Sequence, residues 1–382
     1  MRGLFIEPFY GGSHKAFADG LSAQSRHEIT LLTLPGGEWR QRMRRGAQEL
    51  SGVSTTIDGD FEFIIATDML DVAMFLALAR PRFSDVPVLL YMHENQFTYP
   101  RLTGTKLNSW FGQINYTSAL VADIVAFNSE YHRSDFLMAL EHLSRVPNNW
   151  LVESSVREVT EKSVVLPVGV ELEWLDALPR ERSRPEAPLI LWSHRWEFDK
   201  APDVFVRALE QLATAGYDFG IAIAGEPGQN PHPAIAMLPA GPLAGRLRHF
   251  GHLEDREAYG RLLWDSDFAV STTRHEFFGI ATVEAMAAGC VPIAPARYNY
   301  PALVPTEYHQ QCLWNDEAGL LALLRWRLTT PIRNEERTAM RLSALRYAWP
   351  VVGPTWDEAI DKLAHARPAK LSQNTKAGRV VV

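Results

Sequence analysis

Two glutamates, Glu276 and Glu284, stand in the stretch RHEFFGIATVEAMAAGCVPIAP, Arg274 to Pro295, with seven residues between them. Phe277-Phe278-Gly279 forms a turn that permits close backbone approach. The pattern after it predicts a helix with Val283, Ala287 and Ala288 inward, Gly289 as its stop, and a short buried strand from Val291 to Ala294. This places Glu276 before the first turn and Glu284 about two turns in. A helix start presents free backbone N–H groups and a positive dipole end, which suit an anion such as a diphosphate. Upstream, Arg195 and Lys200 follow an apolar run, five residues apart. Two cations in one loop can neutralise a diphosphate leaving group. Spacing alone also fits two surface glutamates beside a helix start, and a loop whose cations pair with Glu197 or Asp199.

Side chains of this kind need strands to hold them. In the first half the pattern predicts strands over Leu4 to Glu7, Glu28 to Thr33, Phe63 to Thr67, Pro87 to Met92 and Ile124 to Phe127, each followed by a helical pattern. A turn from Pro8 to Ser13 leads to a helix from His14. The second half repeats the scheme with Leu189 to Ser193, Ile221 to Ala224, Phe268 to Ser271 and Val291 to Ala294. Strands alternating with helices mean parallel sheets covered on both faces, with ligands at the carboxyl ends of the strands. The residues there are Glu7, Asp68, His93-Glu94-Asn95-Gln96 and Asn128-Ser129. Gly11 and Gly12 would let a backbone approach a phosphate, or form a plain tight turn.

At 382 residues, 46% apolar and 22% charged, the chain is an ordinary globular protein of about two domains. No apolar run approaches membrane-spanning length and the start is too short for a secretory signal, so a cytoplasmic location is expected. Two cysteines, Cys290 and Cys312, argue against a disulfide framework or a thiolate metal site. Asp58-Gly59-Asp60 and Asp265-Ser266-Asp267 precede strands as turn residues, and no metal site is expected there. The net charge of −7 gives no support to general nucleic-acid binding. A local patch does: Trp39, Met43, Ala47 and Leu50 form a helical stripe that leaves Arg40, Arg42, Arg44 and Arg45 on its flanks. Guanidinium forks suit phosphate, although a solvated helix face has the same pattern. The expected boundaries are 1–178 for a first domain completed by a helix at 349–366, a linker at 179–188, a second domain at 189–348, and a tail at 367–382 carrying Arg367, Lys370, Lys376 and Arg379.

The Glu276 to Glu284 string resembles the signature of retaining glycosyltransferases of family 4, which have the GT-B fold, two Rossmann-like doubly wound domains facing a central cleft. That resemblance implies that Glu276 meets donor-sugar hydroxyls and Glu284 the nucleotide ribose. It implies further that Gly11, Gly12, Phe278, Gly279, Ile280, Gly225 and His252 border the donor, and that His93, Arg195 and Lys200 act in catalysis. More narrowly, IEPFYGGSHKAF, LTLPGGEWRQRMRRGA and YMHENQFTYP are similar to the tRNA-queuosine mannosyltransferases. This implies transfer of mannose from GDP-mannose to queuosine in a tRNA anticodon, with no cofactor and no metal. His14, Lys15, Asp68, Glu94, Asn95 and Gln96 would then face the acceptor, and the four arginines would clamp its phosphates. The expected partners are queuosine-bearing tRNA and a nucleotide sugar; no membrane and no obligate protein partner is evident. A family 4 enzyme with a lipid, glycan or small-molecule acceptor, and a non-catalytic nucleotide-sugar or RNA binder, remain open. Ala302 stands where many relatives of that class place a glutamate.

Overall fold

The computed structural model describes residues 1–99, 109–147, 149–178, 187–228 and 231–365. Residues 179–186 of the expected linker and the whole expected tail lie outside the described residues. The chain forms two compact units. One holds Met1–Tyr99, the described residues up to Gly169, and the helix Trp349–His365; the other holds Val170–Ala348.

In the first unit six strands, β1 (Arg2–Tyr10), β2 (Glu28–Pro35), β3 (Phe63–Thr67), β4 (Val88–Met92), β5 (Ile124–Phe127) and β6 (Ser163–Val165), lie in the order β2-β1-β3-β4-β5-β6. Every neighbouring pair is parallel. FIIAT and VLLYM are buried at every position, as parallel strands covered on both faces require. Strand order reverses between β1 and β3, the kind of place where open α/β sheets take ligands. Helix α1 (Gly12–Gln24) follows β1, and α2 (Trp39–Ser54) buries Met43, Ala47 and Leu50 as its stripe predicts.

The closing helix Trp349–His365 packs on α1, β3 and β4. Trp356 is fully buried, donates its indole N–H to the Pro167 carbonyl at 3.0 Å, and meets Phe17 and Tyr91 at centroid distances of 5.2 and 4.8 Å. Trp349 lies against Gly20 and Gly169, where an added Cβ would come within 2.3 Å of the indole at either position. The close approach explains the absence of a side chain at both.

In the second unit β7 (Leu189–Ser193), β8 (Gly220–Ala224), β9 (Leu247–Gly251), β10 (Phe268–Val270), β11 (Val291–Pro295) and β12 (Leu313–Trp314) take the order β12-β11-β10-β7-β8-β9. All of these pairs are parallel as well, and strand order reverses between β7 and β10. Among the described residues no helix is long and apolar enough to cross a membrane.

Three sequence expectations are corrected. The first strand runs through Pro8, Phe9 and Tyr10 because Gly36 N–H reaches the Tyr10 carbonyl at 3.1 Å, and α1 starts at Gly12 rather than His14. The helix after Gly279 spans Ile280–Ala287, so Glu284 lies about one turn in, not two. The strands β6, β9 and β12 are short edge or near-edge elements that no apolar run announced.

Trp356→Ala would open a large void under α1 and β4. It is expected to cost about 3–5 kcal/mol of unfolding free energy, the usual price of emptying a fully buried aromatic site, and urea unfolding followed by circular dichroism measures it.

Candidate functional site

The chemistry-bearing side chains of the first unit gather at the carboxyl ends of β1, β3 and β4. Glu7 is wholly buried within β1. Its Oε1 accepts the Phe9 N–H at 2.7 Å and its Oε2 lies 2.9 Å from His14 Nδ1. Gly12 has φ +53° at the start of α1, in the left-handed region that favours glycine, and it brings His14 over Glu7. Burial opposes charge on His14, yet the Glu7 carboxylate overrides it and lifts the imidazole pKa to about 9. The result is a buried ion pair. The His14 ring lies against His93 with centroids 4.1 Å apart and planes tilted by 40°.

His93 is held by its backbone. Asp68 Oδ1 accepts its N–H at 2.8 Å, and Asn128 Nδ2 donates to its carbonyl at 2.9 Å. Asn115 donates to the Asp68 carbonyl and accepts the Gln96 N–H, both at 2.9 Å. Burial, then the charge on His14, keeps the His93 pKa well below the ordinary histidine value, so the ring is neutral. Its Nε2 is buried without a hydrogen-bond partner among the described residues. Burial likewise lifts Asp68 to about 7.

Several residues expected at the acceptor are committed elsewhere. Asn95 is fully buried, accepts from Phe97 N–H and Thr98 N–H at 3.1 Å each, and donates to Asp135. It therefore shapes the turn after His93 instead of presenting an amide to solvent. Asp68 is also fully buried and acts through His93. Lys15 is exposed but ion-paired with Asp19, which also accepts from the Tyr10 hydroxyl. Glu94 is half-buried and near enough to His14 and Asp68 to shift both. Gly11 sits close to Gly36, where an added Cβ would come to 3.3 Å from the Gly36 Cα.

Glu7, His14 and His93 also place one possible metal-ligating atom each within 4.8 Å of one another. His14 Nδ1 is already engaged by Glu7, with the two imidazoles tilted by 40° to each other. The Nδ1 contact fits a protonated histidine and its counter-ion.

In the second unit the loop after β7 is stitched to the loop after β10. Arg274 N–H and Thr273 Oγ1 donate to the Asp199 carbonyl at 2.7 and 3.2 Å, and Thr272 Oγ1 donates to the Lys200 carbonyl at 2.9 Å. The stitching brings Lys200 Nζ to 3.5 Å from Glu276 Oε2, 3.2 Å from Asp199 Oδ2 and 3.4 Å from the His275 carbonyl. Burial opposes the charge on Lys200, but Glu276 and then Asp199 more than restore it, so its pKa lies above the ordinary lysine value. His194 and His275, beside it, are held down to about 3 and about 4 by burial and by the lysine charge, so both are neutral. Arg195 is exposed, 3.5 Å from Glu197. The loop thus makes the salt bridges that the sequence offered as an alternative.

Gly279 caps the helix Ile280–Ala287 with φ +101° and no side-chain cap. Asn299 pins the turn by donating to the Phe278 carbonyl at 2.8 Å. One turn along, Glu284 accepts from Tyr259 Oη at 3.1 Å, and that hydroxyl lies 3.2 Å from Ser193 Oγ at the end of β7. Burial raises Glu284 to about 7 against the pull of Tyr259 and Arg256. Tyr259, Ser193, Asn299 and Asn115 carried no spacing signal in the sequence. Gly225 follows β8 with its Cα face against the His194 carbonyl, and His252 is exposed after β9. Asp267 is structural, bridging to Arg337 at 2.6 Å and accepting the Leu189 N–H at 3.1 Å. Both cysteines are buried free thiols.

An unfolded glutamate ionises near 4.5 and Glu284 near about 7, so across that window the folded chain holds a proton the unfolded chain has lost, and this group's contribution falls as pH rises. Glu284→Gln removes the titration. Relative to the native protein, the variant is expected to gain unfolding free energy between about pH 5 and pH 8 in parallel denaturant series; superimposable pH profiles would contradict the burial argument.

Comparison with known proteins gives the family and the fold class. Residues 2–170 match the family described as tRNA-queuosine alpha-mannosyltransferase N-terminal, and residues 177–321 match glycosyl transferases group 1. The chain is 33% identical over 312 residues to the tRNA-queuosine alpha-mannosyltransferase of Drosophila melanogaster, covering 80% of this chain and 82% of that one. It is 24% identical over 391 residues to a GDP-mannose-dependent alpha-(1-6)-phosphatidylinositol dimannoside mannosyltransferase of Mycobacterium tuberculosis, covering 91% and 93%. Among solved structures, sucrose-phosphate synthase from Thermosynechococcus elongatus matches with a TM-score of 0.72 at 14% identity over 96% of this chain and 100% of that chain. An E. coli structure of trehalose-6-phosphate bound with UDP-2-fluoro glucose matches with a TM-score of 0.69 at 14% identity, over 96% of this chain and 99% of that chain. At such identity these two speak for the fold alone, the GT-B class. The chain belongs to the tRNA-queuosine alpha-mannosyltransferase family and is a glycosyltransferase built of two Rossmann-like α/β domains.

Proposed function

We propose that this protein transfers mannose from GDP-mannose to a queuosine hydroxyl in tRNA, with retention of the sugar configuration. The observation that carries the reading is the continuous likeness of residues 2–170 to the N-terminal half of the tRNA-queuosine enzymes, since that half holds Gly11-Gly12, the arginine helix and His93. GDP-mannose as donor is supported by the GDP-mannose-dependent mycobacterial relative.

In the proposed reaction the bond between the sugar C1 and the diphosphate oxygen breaks, and GDP leaves with the electron pair. The queuosine hydroxyl oxygen attacks C1 from the same face, and its proton passes to the departing phosphate oxygen. The chain's part is electrostatic. Arg195, Lys200 and the uncapped amides of the helix opened by Gly279 meet the charge that grows on the diphosphate, in a partly desolvated loop where such donors act strongly. Glu276 holds the sugar hydroxyls and Glu284 the ribose. His93, neutral and with its Nε2 unpartnered among the described residues, offers a hydrogen bond to the sugar. Asp68 and Asn95 position His93 and the turn that follows, and Arg40, Arg42, Arg44 and Arg45 contact the RNA backbone, which positions without specifying sequence.

The decisive test is mass spectrometry of nucleosides from queuosine-containing and queuosine-free tRNA incubated with GDP-mannose. A hexose on queuosine alone is expected; a hexose appearing only on a phosphatidylinositol lipid offered in parallel would replace this acceptor. Glu276→Ala should leave GDP affinity largely intact while turnover falls by about 10²-fold or more, because the lost contacts act on the sugar as it reacts. Equal losses in both would remove Glu276 from that role.

A further inference from the structure

The arginine helix shares its surface with an aromatic group that no part of the sugar-transfer chemistry uses. Trp110 and Phe111, at the start of the helix Ser109–Val121, lie beside α2 with Trp110 stacked on Phe111 at 5.7 Å and 29°. Phe111 in turn meets Trp39 at 5.2 Å. Arg44 places its guanidinium carbon 5.6 Å from the Trp110 centroid and 5.4 Å from that of Phe111, and Arg40 lies 4.5 Å over Trp39. Beneath them Met43, Met69, Phe111 and Ile114 form a buried cluster distinct from the main core. The rings therefore rest on a fixed floor.

Trp110 nevertheless remains 43% exposed. Among the described residues Arg42 has Glu49 at 3.5 Å and Arg40 has Glu38 at 3.8 Å, while no ion pair engages Arg44 or Arg45. A phosphate clamp needs only the cations. The partly exposed indole adds a surface for stacking, and a base in a duplex has both faces already stacked, so the combination fits an unpaired nucleotide. The positive face lies in a sequence half that is otherwise net acidic.

We infer that Trp110, backed by Phe111 and flanked by Arg44, is a stacking platform for an unpaired base of the tRNA anticodon loop, with Arg44 and Arg45 on the adjoining phosphates. The inference rests on the reading of tRNA as acceptor and adds to it a contact with the loop itself.

The test titrates the full chain with a labelled anticodon stem-loop RNA, a blunt duplex of the same stem, and anionic phosphatidylserine vesicles. Trp110→Ala should weaken stem-loop binding about tenfold, leaving duplex and GDP-mannose binding unchanged, and Trp110→Phe should recover most of the loss. Unaltered stem-loop affinity in Trp110→Ala would overturn the platform, as would an equal loss on the duplex. Trp110-dependent binding to vesicles without an effect on RNA would assign the patch to a lipid surface and likewise overturn it. If the native protein bound no tRNA at all, the acceptor reading would fall together with the platform; if it mannosylated tRNA while Trp110→Ala bound the loop normally, only the platform would fall.

Discussion

A carboxylate fully buried in a parallel sheet needs charged or N–H partners within reach, and Glu7 imposes that demand on everything around it. One oxygen is met by Phe9 N–H, which requires the chain to turn back on itself at the end of β1. The other is met by His14, which requires a helix to begin within a few residues and with the left-handed Gly12 at its start. Once His14 is charged, it reinforces the effect of burial in keeping neutral the imidazole beside it, His93, whose ring lies 4.1 Å away and tilted by 40°. Burial already disfavours charge on His93, and the pair that Glu7 forms with His14 adds to it.

The second unit meets the same problem differently. Lys200 lies between two carboxylates, Asp199 and Glu276, and its side chain is only 12% exposed. Where Glu7 and His14 form a closed pair, Lys200 is one cation facing two anions, with Arg195 in solvent beside it. In the proposed reaction a diphosphate would have to compete with Glu276 for the ammonium, with Arg195 and the helix amides that no side chain caps as its other partners. Under that proposal Glu276 would turn toward the sugar as its counter-ion came to be shared.

Much of this was legible in the sequence because of how parallel sheets are built. Strands covered on both faces read as unbroken apolar runs, so β3, β4, β5 and β7 were found nearly to the residue, and the polar residues just beyond them, Asp68, His93 and Arg195, had to lie at the strand ends. The tRNA-queuosine family likewise follows from motifs at those ends. The edge strands β6, β9 and β12 were missed because partial exposure dilutes the apolar signal to two or three residues. Asn115 and Tyr259 were missed for another reason. Each reaches its partner, Asp68 or Glu284, from the middle of a helix, and nothing in the local spacing marks a helical polar residue as aimed inward. Asn95 shows the converse error: a polar residue at a strand end looks available when it is in fact holding its own turn.

The aromatic floor beneath His93 shows how far apart in sequence the supports of one ring can be. His93 meets Phe17 and Tyr91 edge-on at 5.0 and 4.8 Å, and Phe17 and Tyr91 stack on each other at 4.5 Å. Both are backed by Trp356, and Phe17 also by Trp349, from the closing helix. Rings in contact transmit displacement because a packed interior has little empty volume to absorb it. The position of the His93 imidazole is thereby tied to residues more than 250 positions away, and the helix that completes the first unit is part of what holds a candidate catalytic ring in place.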